Sequence, residues 1–531
     1  MSSTTISRSS QTTSETVGRP SETSNDSRPG VDSNRPQHPS PQSRPPAQSD
    51  RAPAQTVVQQ KGTMNSRAKI AIGVMVVFFI AALITCSVVL KKKGPGRHSG
   101  REGEPIFRTY TSWATALDEP QCAKISEKIY ARGGTVADAA VASLLCLGVV
   151  LPESLGIGGG FLAVYFQKST GQVFYLDARE VAPLSATTDM FTDKNVSSRE
   201  GALSIATPGE LAGYRTLLDF VGSNVTQKEL FETAIKLARE GFTVGEHLST
   251  AIARTRRLLY KSKTLKETYF SEKNVTKKQG EKIYNPRLAD TLEKLAAADD
   301  FANEFYNGTI GKRILEEVQN QGGILTQKDF TSYQALWRAP SEVSIQNGRY
   351  QVFSGGLSGS GPVLAMMLNV VDGFKLNSFK EDVRTYHRLI ESMKFAYAKR
   401  TWLGDFMYAN VTPNIAINMS AMITEMQDKT FAEEIRKKIS DLRTLDIKEY
   451  GGMLAEPRDH GTSHANFFAP NGDVIAITST VNFYFGSGVE VEGILLNNEM
   501  DDFSTPGRAN GFGLMPSPSN YIKARITSQI H

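Results

Sequence analysis

Residues 461–504 read GTSHANFFAPNGDVIAITSTVNFYFGSGVEVEGILLNNEMDDFS, and the interpretation of the whole chain starts from them. Segment 463–469 alternates in character, and segment 474–480 is rich in β-branched residues. Between them, Pro-Asn-Gly-Asp at 470–473 is a turn signal, because Asn and Gly tolerate positive φ. This pattern predicts a β-hairpin with Thr462 at or before its first strand.

The Gly461–Thr462 pair is a candidate processing site. A threonine hydroxyl is a weak nucleophile without an adjacent base, and a cut before Thr462 would supply its own α-amine as that base. A terminal amine titrates near pH ~8, so a useful fraction of it is neutral at working pH. Gly461 suits such a cut because it places no side chain beside the bond. Spacing alone also fits a plain turn before a strand.

Two longer strings separate these interpretations. TSTVNFYFGS at 478–487 and GILLNNEMDDFS at 493–504 resemble the small-subunit signature of the γ-glutamyltranspeptidase (glutathione hydrolase) family of N-terminal nucleophile hydrolases. The resemblance implies an α+β fold, an αββα sandwich, here preceded by a single transmembrane helix. It also implies that the chain cleaves itself at Gly461–Thr462, that Thr462 is the nucleophile and that Thr480 orients it. The residues implied to hold the substrate's α-amino group are Asn482, Glu499 and Asp502.

Two strings further upstream resemble the family's large subunit: LGIGGGF at 155–161 and LDAREVAP at 176–183. The glycines are not a nucleotide loop, because the last Gly of GxGxxG and a GK[ST] are both missing; we expect them to allow close backbone packing. In isolation Arg179 would be a surface or salt-bridged arginine. The resemblance makes it the residue that clamps the substrate α-carboxylate, which suits the two-pronged guanidinium.

Helical patterns cover much of the region between these strings. A capping box at Thr135–Asp138 predicts the start of a buried helix. A second box at Thr226–Glu229 begins a mostly helical region that extends to residue 405, with amphipathic runs at 229–240, 288–298 and 383–399.

The N-terminal part differs in composition from the rest. Residues 1–63 are rich in Ser, Thr, Pro and Gln and lack aromatic residues, which predicts a disordered tail. The membrane orientation inferred below from the sequons would make this tail cytoplasmic. Residues 70–90 carry no charge over 21 positions, enough to cross a bilayer of about 30 Å. The flanking Lys and Arg residues slightly favour a cytoplasmic C-terminal side.

Sequons favour the opposite orientation. N-x-[ST] sequences follow the predicted span at six positions, and only Asn25 precedes it. We therefore expect a single-pass type II protein of the plasma membrane with an extracellular, glycosylated catalytic region. The predicted acceptors are Asn195, Asn224, Asn274, Asn307, Asn410 and Asn418.

Net charge and cysteine content limit the classes of function that fit this sequence. Residues 1–63 carry a net charge of +2 and residues 64–101 carry +7, which leaves −4 for the rest of the +5 chain. The body therefore lacks the basic surplus of a nucleic-acid binder. Cys122 and Cys146 suit either a disulfide or two reduced core thiols, and the resemblance implies the disulfide. No metal-ligand motif occurs, and we expect no metal and no cofactor.

The sequence thus predicts a large-subunit region at 105–461 and a small-subunit region at 462–531. The expected reaction is cleavage of the γ-glutamyl amide of glutathione through a γ-glutamyl-threonine ester, with transfer to water or to an acceptor amino acid or peptide. Only 70 residues follow the processing bond, and the family's serine pair and Gly-Gly oxyanion hole have no counterpart in them. The chain is therefore interpreted as C-terminally incomplete, and the alternative function is an unprocessed, non-enzymatic surface glycoprotein.

Overall fold

The computed structural model describes residues 110–374, 382–405, 418–453 and 461–527. The chain separates into two units, Met1–Ile106 and Phe107–His531, and every described residue belongs to the second. The predicted tail at 1–63 lies outside the described residues.

The structure contradicts the predicted membrane topology. Among the described residues, no helix is long and apolar enough to cross a bilayer. The longest of these helices, Val383–Arg400, has 18 residues and carries several charged side chains, whereas a span needs about 20 mostly apolar residues. The predicted span at 70–90 lies outside the described residues. The single-pass type II assignment therefore has no structural support and is not retained.

Helices and short strands alternate along the chain. The described strands are β1 Ala114–Ala116, β2 Gly160–Gln167, β3 Gln172–Ala178, β4 Phe242–Thr243, β5 Lys282–Ile283, β6 Leu336–Arg338, β7 Ser341–Ile345, β8 Tyr350–Ser354, β9 Ser463–Phe468, β10 Val474–Thr480, β11 Glu490–Val491 and β12 Ile494–Leu495. The described helices are α1 Pro120–Ala131, α2 Val136–Val150, α3 Glu210–Val221, α4 Gln227–Glu240, α5 Glu246–Arg254, α6 Arg256–Lys261, α7 Lys263–Tyr269, α8 Pro286–Ala297, α9 Phe301–Tyr306, α10 Thr309–Asn320, α11 Gln327–Thr331, α12 Gly361–Asp372, α13 Val383–Arg400, α14 Met419–Gln427 and α15 Lys429–Lys438.

A six-stranded antiparallel sheet, in the order β1-β9-β10-β2-β3-β6, is the centre of this unit. The predicted hairpin is confirmed as β9 and β10, and its turn contains Gly472 at a φ of 89°. Strand β10 also pairs with β2, so that Thr480 lies opposite Gly160. The sheet therefore joins the two regions of sequence that the family strings occupy.

Helix α2 covers one face of this sheet. The predicted capping box at Thr135–Asp138 is present, and nearly every residue of the helix is buried. The helix packs against α4, whose own capping box at Thr226–Glu229 is also present, and against β9 and β10. A disulfide joins Cys122 on α1 to Cys146 on α2, with their Cα atoms 5.8 Å apart. The alternating side chains of β9 and β10 point their buried half toward this helical layer.

Helices α12 to α15 form a second hydrophobic cluster, which includes Met366, Phe395 and Met426. The six-stranded sheet forms a single layer. Within the described ranges a second large sheet is not present, and the remaining strands form two-stranded pairs. The mixed α/β character is confirmed, whereas the second sheet of a complete αββα sandwich is not seen in this part of the chain.

The predicted acceptor asparagines lie on the surface where they are described. The side chains of five of them are exposed: Asn195, Asn224, Asn274, Asn307 and Asn418. Asn410 lies outside the described residues. Exposure allows a glycan but does not demonstrate one, so glycosylation remains a prediction.

The glycine-rich segment at 156–160 packs backbone against backbone. A Cβ atom at Gly159 would collide with the carbonyl oxygen of Thr480, and one at Gly158 with that of Leu495. The carbonyl oxygen of Gly159 accepts hydrogen bonds from the backbone N–H groups of Gly209 and Glu210, at 2.8 and 3.0 Å. The prediction that these glycines allow close packing is confirmed.

Glu210, at the start of α3, is a buried carboxyl group beneath β10. Ser479 Oγ lies 3.0 Å from both carboxyl oxygens, and the Tyr214 hydroxyl donates to Oε1 at 2.6 Å. Burial raises the pKa of Glu210 to about 8, although both hydroxyls oppose the shift. The carboxyl group is therefore mostly protonated in the folded protein at neutral pH.

We expect Gly159→Ala to lower the free energy of unfolding by about 1–3 kcal/mol, because the added methyl group meets backbone that has no room to move. Chemical denaturation measures this change. Gly245→Ala is the control, since its Cβ would lie 3.7 Å from the nearest neighbour, a carboxylate oxygen of Glu119. Equal losses in both variants would contradict the packing argument.

We expect Glu210→Gln to flatten the pH dependence of stability. Between pH 4.5, the ordinary pKa of a glutamate side chain, and about pH 8, the folded state holds a proton that the unfolded state has lost. The stabilisation is thus complete below pH 4.5 and disappears as pH rises through 8, with a slope of at most about 1.4 kcal/mol per pH unit. Glutamine does not titrate, so denaturation at pH 5 to 8.5 should show a shallower decline. The exposed Glu272→Gln variant should follow the parent chain; a Glu210→Gln curve parallel to it would refute the assignment.

Candidate active site

Thr462 and Thr480 meet at one end of the sheet. Thr462 directly precedes β9 and is exposed, whereas Thr480 is the last residue of β10 and is buried. Because Ser463 pairs with Ser479 across the hairpin, the two threonines emerge side by side, and their hydroxyl oxygens lie 3.2 Å apart. The backbone N–H of Asn482 donates to Thr480 Oγ1 at 2.8 Å. The second threonine is thus oriented toward the first.

The residues on both sides of Thr462 are held in place. Ser463 Oγ donates to Asp118 Oδ2 at 2.7 Å, and the backbone N–H of His464 donates to the same oxygen at 3.3 Å. On the other side Gly461 is buried, and a Cβ there would collide with the ring of Tyr484. The predicted processing bond therefore lies between two anchored segments.

Arg179 lies at the same end of the sheet, immediately after β3. Two strand spacings separate β3 from β10, which corresponds to about 10 Å. Arg179 is 2% exposed, and its guanidinium forms ion pairs with Glu499 and Asp502, and with Glu180 at 3.4 Å. The structure thus brings together the predicted carboxylate clamp and two of the residues predicted to hold the amino group.

The electrostatics of this cluster are dominated by burial. Burial raises the pKa of Glu180 and of Glu499 to about 8 in each case, although Arg179 opposes the shift. Burial, and then the charge of Glu499, raise the pKa of Asp502 well above its usual range. Burial opposes the charge of Arg179, but the three carboxyl groups outweigh it and raise its pKa. The site therefore holds a buried cation beside carboxyl groups that ionise less readily than exposed ones.

Two asparagines connect the acidic turn Glu499–Asp502 to the rest of the site. The buried Asn497 donates to the carbonyl oxygens of Gly158 and Ala206 at 2.9 and 3.0 Å, and its Oδ1 accepts from the N–H of Glu499 at 3.0 Å. Asn498 Oδ1 accepts from the N–H of Phe483 at 3.1 Å. These bonds fix the acids relative to the glycine-rich segment.

Asn482 has a backbone φ of 73° and a buried side chain. Its Nδ2 donates to the carbonyl oxygen of Asn498 at 3.0 Å. Its amide oxygen is therefore the atom suited to accept a hydrogen bond from a ligand. The structure brings this residue to the same end of the sheet as Thr480.

Sequence reasoning missed several residues of this site. Glu180 is adjacent to Arg179 and could have been found by asking what balances a buried arginine. Asn497 and Asn498 stand inside the quoted string 493–504 but have no distinguishing local pattern. Glu210 carries no sequence signal, because it approaches Ser479 only through the packing of α3 under β10. In the part of the chain that the structure describes, no group of His, Cys, Asp and Glu could hold a metal ion.

Comparison with known proteins identifies relatives over most of the chain. A family model described as gamma-glutamyltranspeptidase matches residues 122–528. Glutathione hydrolase 2 of Arabidopsis thaliana is 37% identical over 414 residues, which are 77% of this chain and 69% of that protein. Scoloptoxin SSD14 of Scolopendra dehaani is 36% identical over 431 residues, which are 80% of this chain and 72% of that protein.

Solved structures give the same result. The γ-glutamyltranspeptidase of Helicobacter pylori is similar with a TM-score of 0.58 and 28% identity, covering 67% of this chain and all of that chain. Cephalosporin acylase of Bacillus halodurans has a TM-score of 0.65 at 23% identity, covering 81% of this chain and 76% of that chain, which shows a shared fold. The resemblance inferred from the sequence strings is confirmed, and the chain belongs to the γ-glutamyltranspeptidase family of enzymes.

Proposed function

We propose that this chain is a glutathione hydrolase and γ-glutamyltransferase with Thr462 as its nucleophile. The observation that carries the proposal is the 3.2 Å separation of the Thr462 and Thr480 hydroxyl oxygens, at the sheet end where Arg179 lies buried among carboxyl groups. Family membership and the names of relatives such as the glutathione hydrolases of Arabidopsis support the substrate class.

Activation begins with cleavage of the Gly461–Thr462 bond. Thr462 Oγ1 attacks the carbonyl carbon of Gly461, the peptide C–N bond breaks, and the threonine nitrogen takes up the proton to become a free amine. Water then hydrolyses the resulting ester, leaving a carboxyl group on Gly461 and a hydroxyl group on Thr462. The products are a large subunit ending at Gly461 and a small subunit beginning at Thr462. Relatives named proenzymes support this step.

The new α-amine serves as the base in turnover. It accepts the proton of Thr462 Oγ1 as the oxygen attacks the γ-glutamyl amide carbon, and the proton passes to the departing amine. A γ-glutamyl ester on Thr462 remains. Attack by water releases glutamate, and attack by the amine of an acceptor amino acid or peptide gives a new γ-glutamyl amide. Thr480 holds the hydroxyl of Thr462 in line throughout.

The buried charge cluster recognises the α-amino acid end of the substrate. The α-carboxylate binds Arg179. The α-ammonium binds Glu499, Asp502 and the amide oxygen of Asn482. Charge stays balanced when the substrate binds. Its carboxylate replaces protein carboxyl groups at Arg179, and its ammonium takes the place of Arg179 beside those groups. This balance matters because an uncompensated charge in a buried site costs several kcal/mol.

We expect Thr462→Ala to abolish both the cleavage and the release of product from a γ-glutamyl anilide. Thr480→Ala should slow cleavage about 10-fold, since one orienting hydrogen bond of about 1.4 kcal/mol is lost. Thr480→Ser keeps the hydroxyl and serves as the matched control. Gel analysis with N-terminal sequencing of the smaller fragment measures the result. A Thr462→Ala chain that still yields a fragment beginning at residue 462 would refute the proposal.

We expect Arg179→Lys to lower kcat/KM for a γ-glutamyl anilide at least about 100-fold, mainly through KM, because an ammonium cannot reproduce the guanidinium fork. The loss should vanish for an analogue without the α-carboxylate, a 4-aminobutyryl anilide. Arg313→Lys on the exposed face of α10 is the control. An equal loss with both anilides would show that Arg179 does not read the carboxylate.

A further inference from the structure

A hydrogen-bonded chain of three side chains lies beside the processing bond and has no part in the reaction described above. His247 Nδ1 is 2.8 Å from Glu153 Oε1, and His247 Nε2 is 3.3 Å from the Tyr484 hydroxyl. The rings of His247 and Tyr484 meet edge to face, with centroids 5.5 Å apart. Glu153 precedes the glycine-rich segment, His247 is on α5, and Tyr484 follows β10, so three separate elements contribute.

The Tyr484 end of this hydrogen-bonded series lies against Gly461, the residue before the bond to be cut. The Tyr484 ring lies over Gly461, where a Cβ would collide with it. The loop that carries Glu153 is bound to the segment that carries Tyr484, because the N–H of Phe485 donates to the Glu153 carbonyl and that of Val481 to the Ser154 carbonyl, both at 3.1 Å. The tyrosine ring is therefore held from its hydroxyl end and from its backbone.

Glu153 is an unusual residue for a purely structural anchor. Its carboxyl group is fully buried, and its Oε2 has no hydrogen-bond partner among the described residues. Burial of an acid is costly unless it is paired, and its charged neighbour is His247, whose side chain is 54% exposed. Because His247 is accessible to solvent, a change in pH changes its protonation state and therefore its interaction with the buried Glu153.

The protonation state of His247 changes the strength of its hydrogen bonds to Glu153 and Tyr484. A neutral ring accepts the Tyr484 hydroxyl proton at Nε2 and donates from Nδ1 to Glu153; an imidazolium donates at both nitrogens. Charge-assisted hydrogen bonds are about twice as strong as neutral ones. The hydrogen bond to Glu153, and then the charges of Glu153 and Asp118, raise the pKa of His247, while burial and Arg254 oppose the shift. Glu119 is the other charged group near Glu153.

We infer that Glu153, His247 and Tyr484 are positioning residues for self-cleavage, which hold the Tyr484 ring against Gly461 and so align the Gly461–Thr462 bond with the attacking hydroxyl. This inference rests on the proposed self-cleavage. The alignment is strongest while His247 carries its proton and weakens as pH rises above its pKa.

The test follows cleavage of the full chain over time at pH 5.5 to 9, by gel and by N-terminal sequencing of the small fragment. Tyr484→Phe keeps the ring and removes the hydroxyl. We expect it to cleave about 3- to 10-fold more slowly than the parent at the acid end, as one charge-assisted hydrogen bond is lost, with a smaller ratio at the alkaline end, where the parent keeps only the weaker hydrogen bond to the neutral ring. His247→Gln should remove the pH dependence of that ratio. Tyr350→Phe and His387→Gln, on β8 and α13, are the matched controls, and melting temperatures verify folding.

A second measurement does not depend on cleavage. In a Thr462→Ala background the chain stays intact, and the C2–H resonance of His247 reports its pKa by NMR. Glu153→Gln should lower that pKa; no change would overturn the inference.

The outcomes separate the two levels of the hypothesis. A parent chain that never yields a fragment beginning at Thr462 would refute the proposed self-cleavage and the inference with it. A parent chain that cleaves, while Tyr484→Phe cleaves at the same rate at every pH, would refute the inference alone.

Discussion

The contact between the glycine-rich segment 156–160 and the end of β10 is the constraint on which the site depends. Gly159 lies against the carbonyl oxygen of Thr480, and any side chain there would push the strand away. Thr480 is at the same time the hydrogen-bond partner of Thr462. A displacement of about 1 Å at this backbone contact would move the hydroxyl group of Thr480 by a similar distance relative to that of Thr462. Glycine is thus required for geometry here, and nucleotide binding has no part in it.

The second constraint is electrostatic. Arg179 and its three carboxyl partners are buried together, and such clusters seldom stabilise a fold more than apolar residues of the same volume would. The proposed substrate carries both charges, and its α-amino acid head group would exchange with the existing pairs. Asn497 links the acidic turn to the glycine-rich segment through its hydrogen bond to the carbonyl oxygen of Gly158.

Local patterns predicted much of this protein. The hairpin 463–480, the capping boxes at Thr135 and Thr226, and the buried helix that follows the first box were all correct, because each depends on neighbouring residues. The membrane topology was not supported by the structure, and the second sheet of the expected sandwich does not occur in the described residues. Roles for Arg179, Asn482 and the acidic turn came only from the family strings, since none of these residues has a distinctive local environment in the sequence.

The linear order of residues determined the elements around the nucleophile candidate, because turn chemistry, alternation and capping act over a few positions, and the family strings singled out Thr462 itself. The partners that make the site work could not be read in this way. Arg179 with Asp502, Ser479 over Glu210, and Tyr484 against Gly461 with His247 and Glu153 behind it are contacts across tens to hundreds of residues. They exist because β10 pairs with β2 and the helices pack around that pair, and long-range packing leaves no periodic signal in the chain.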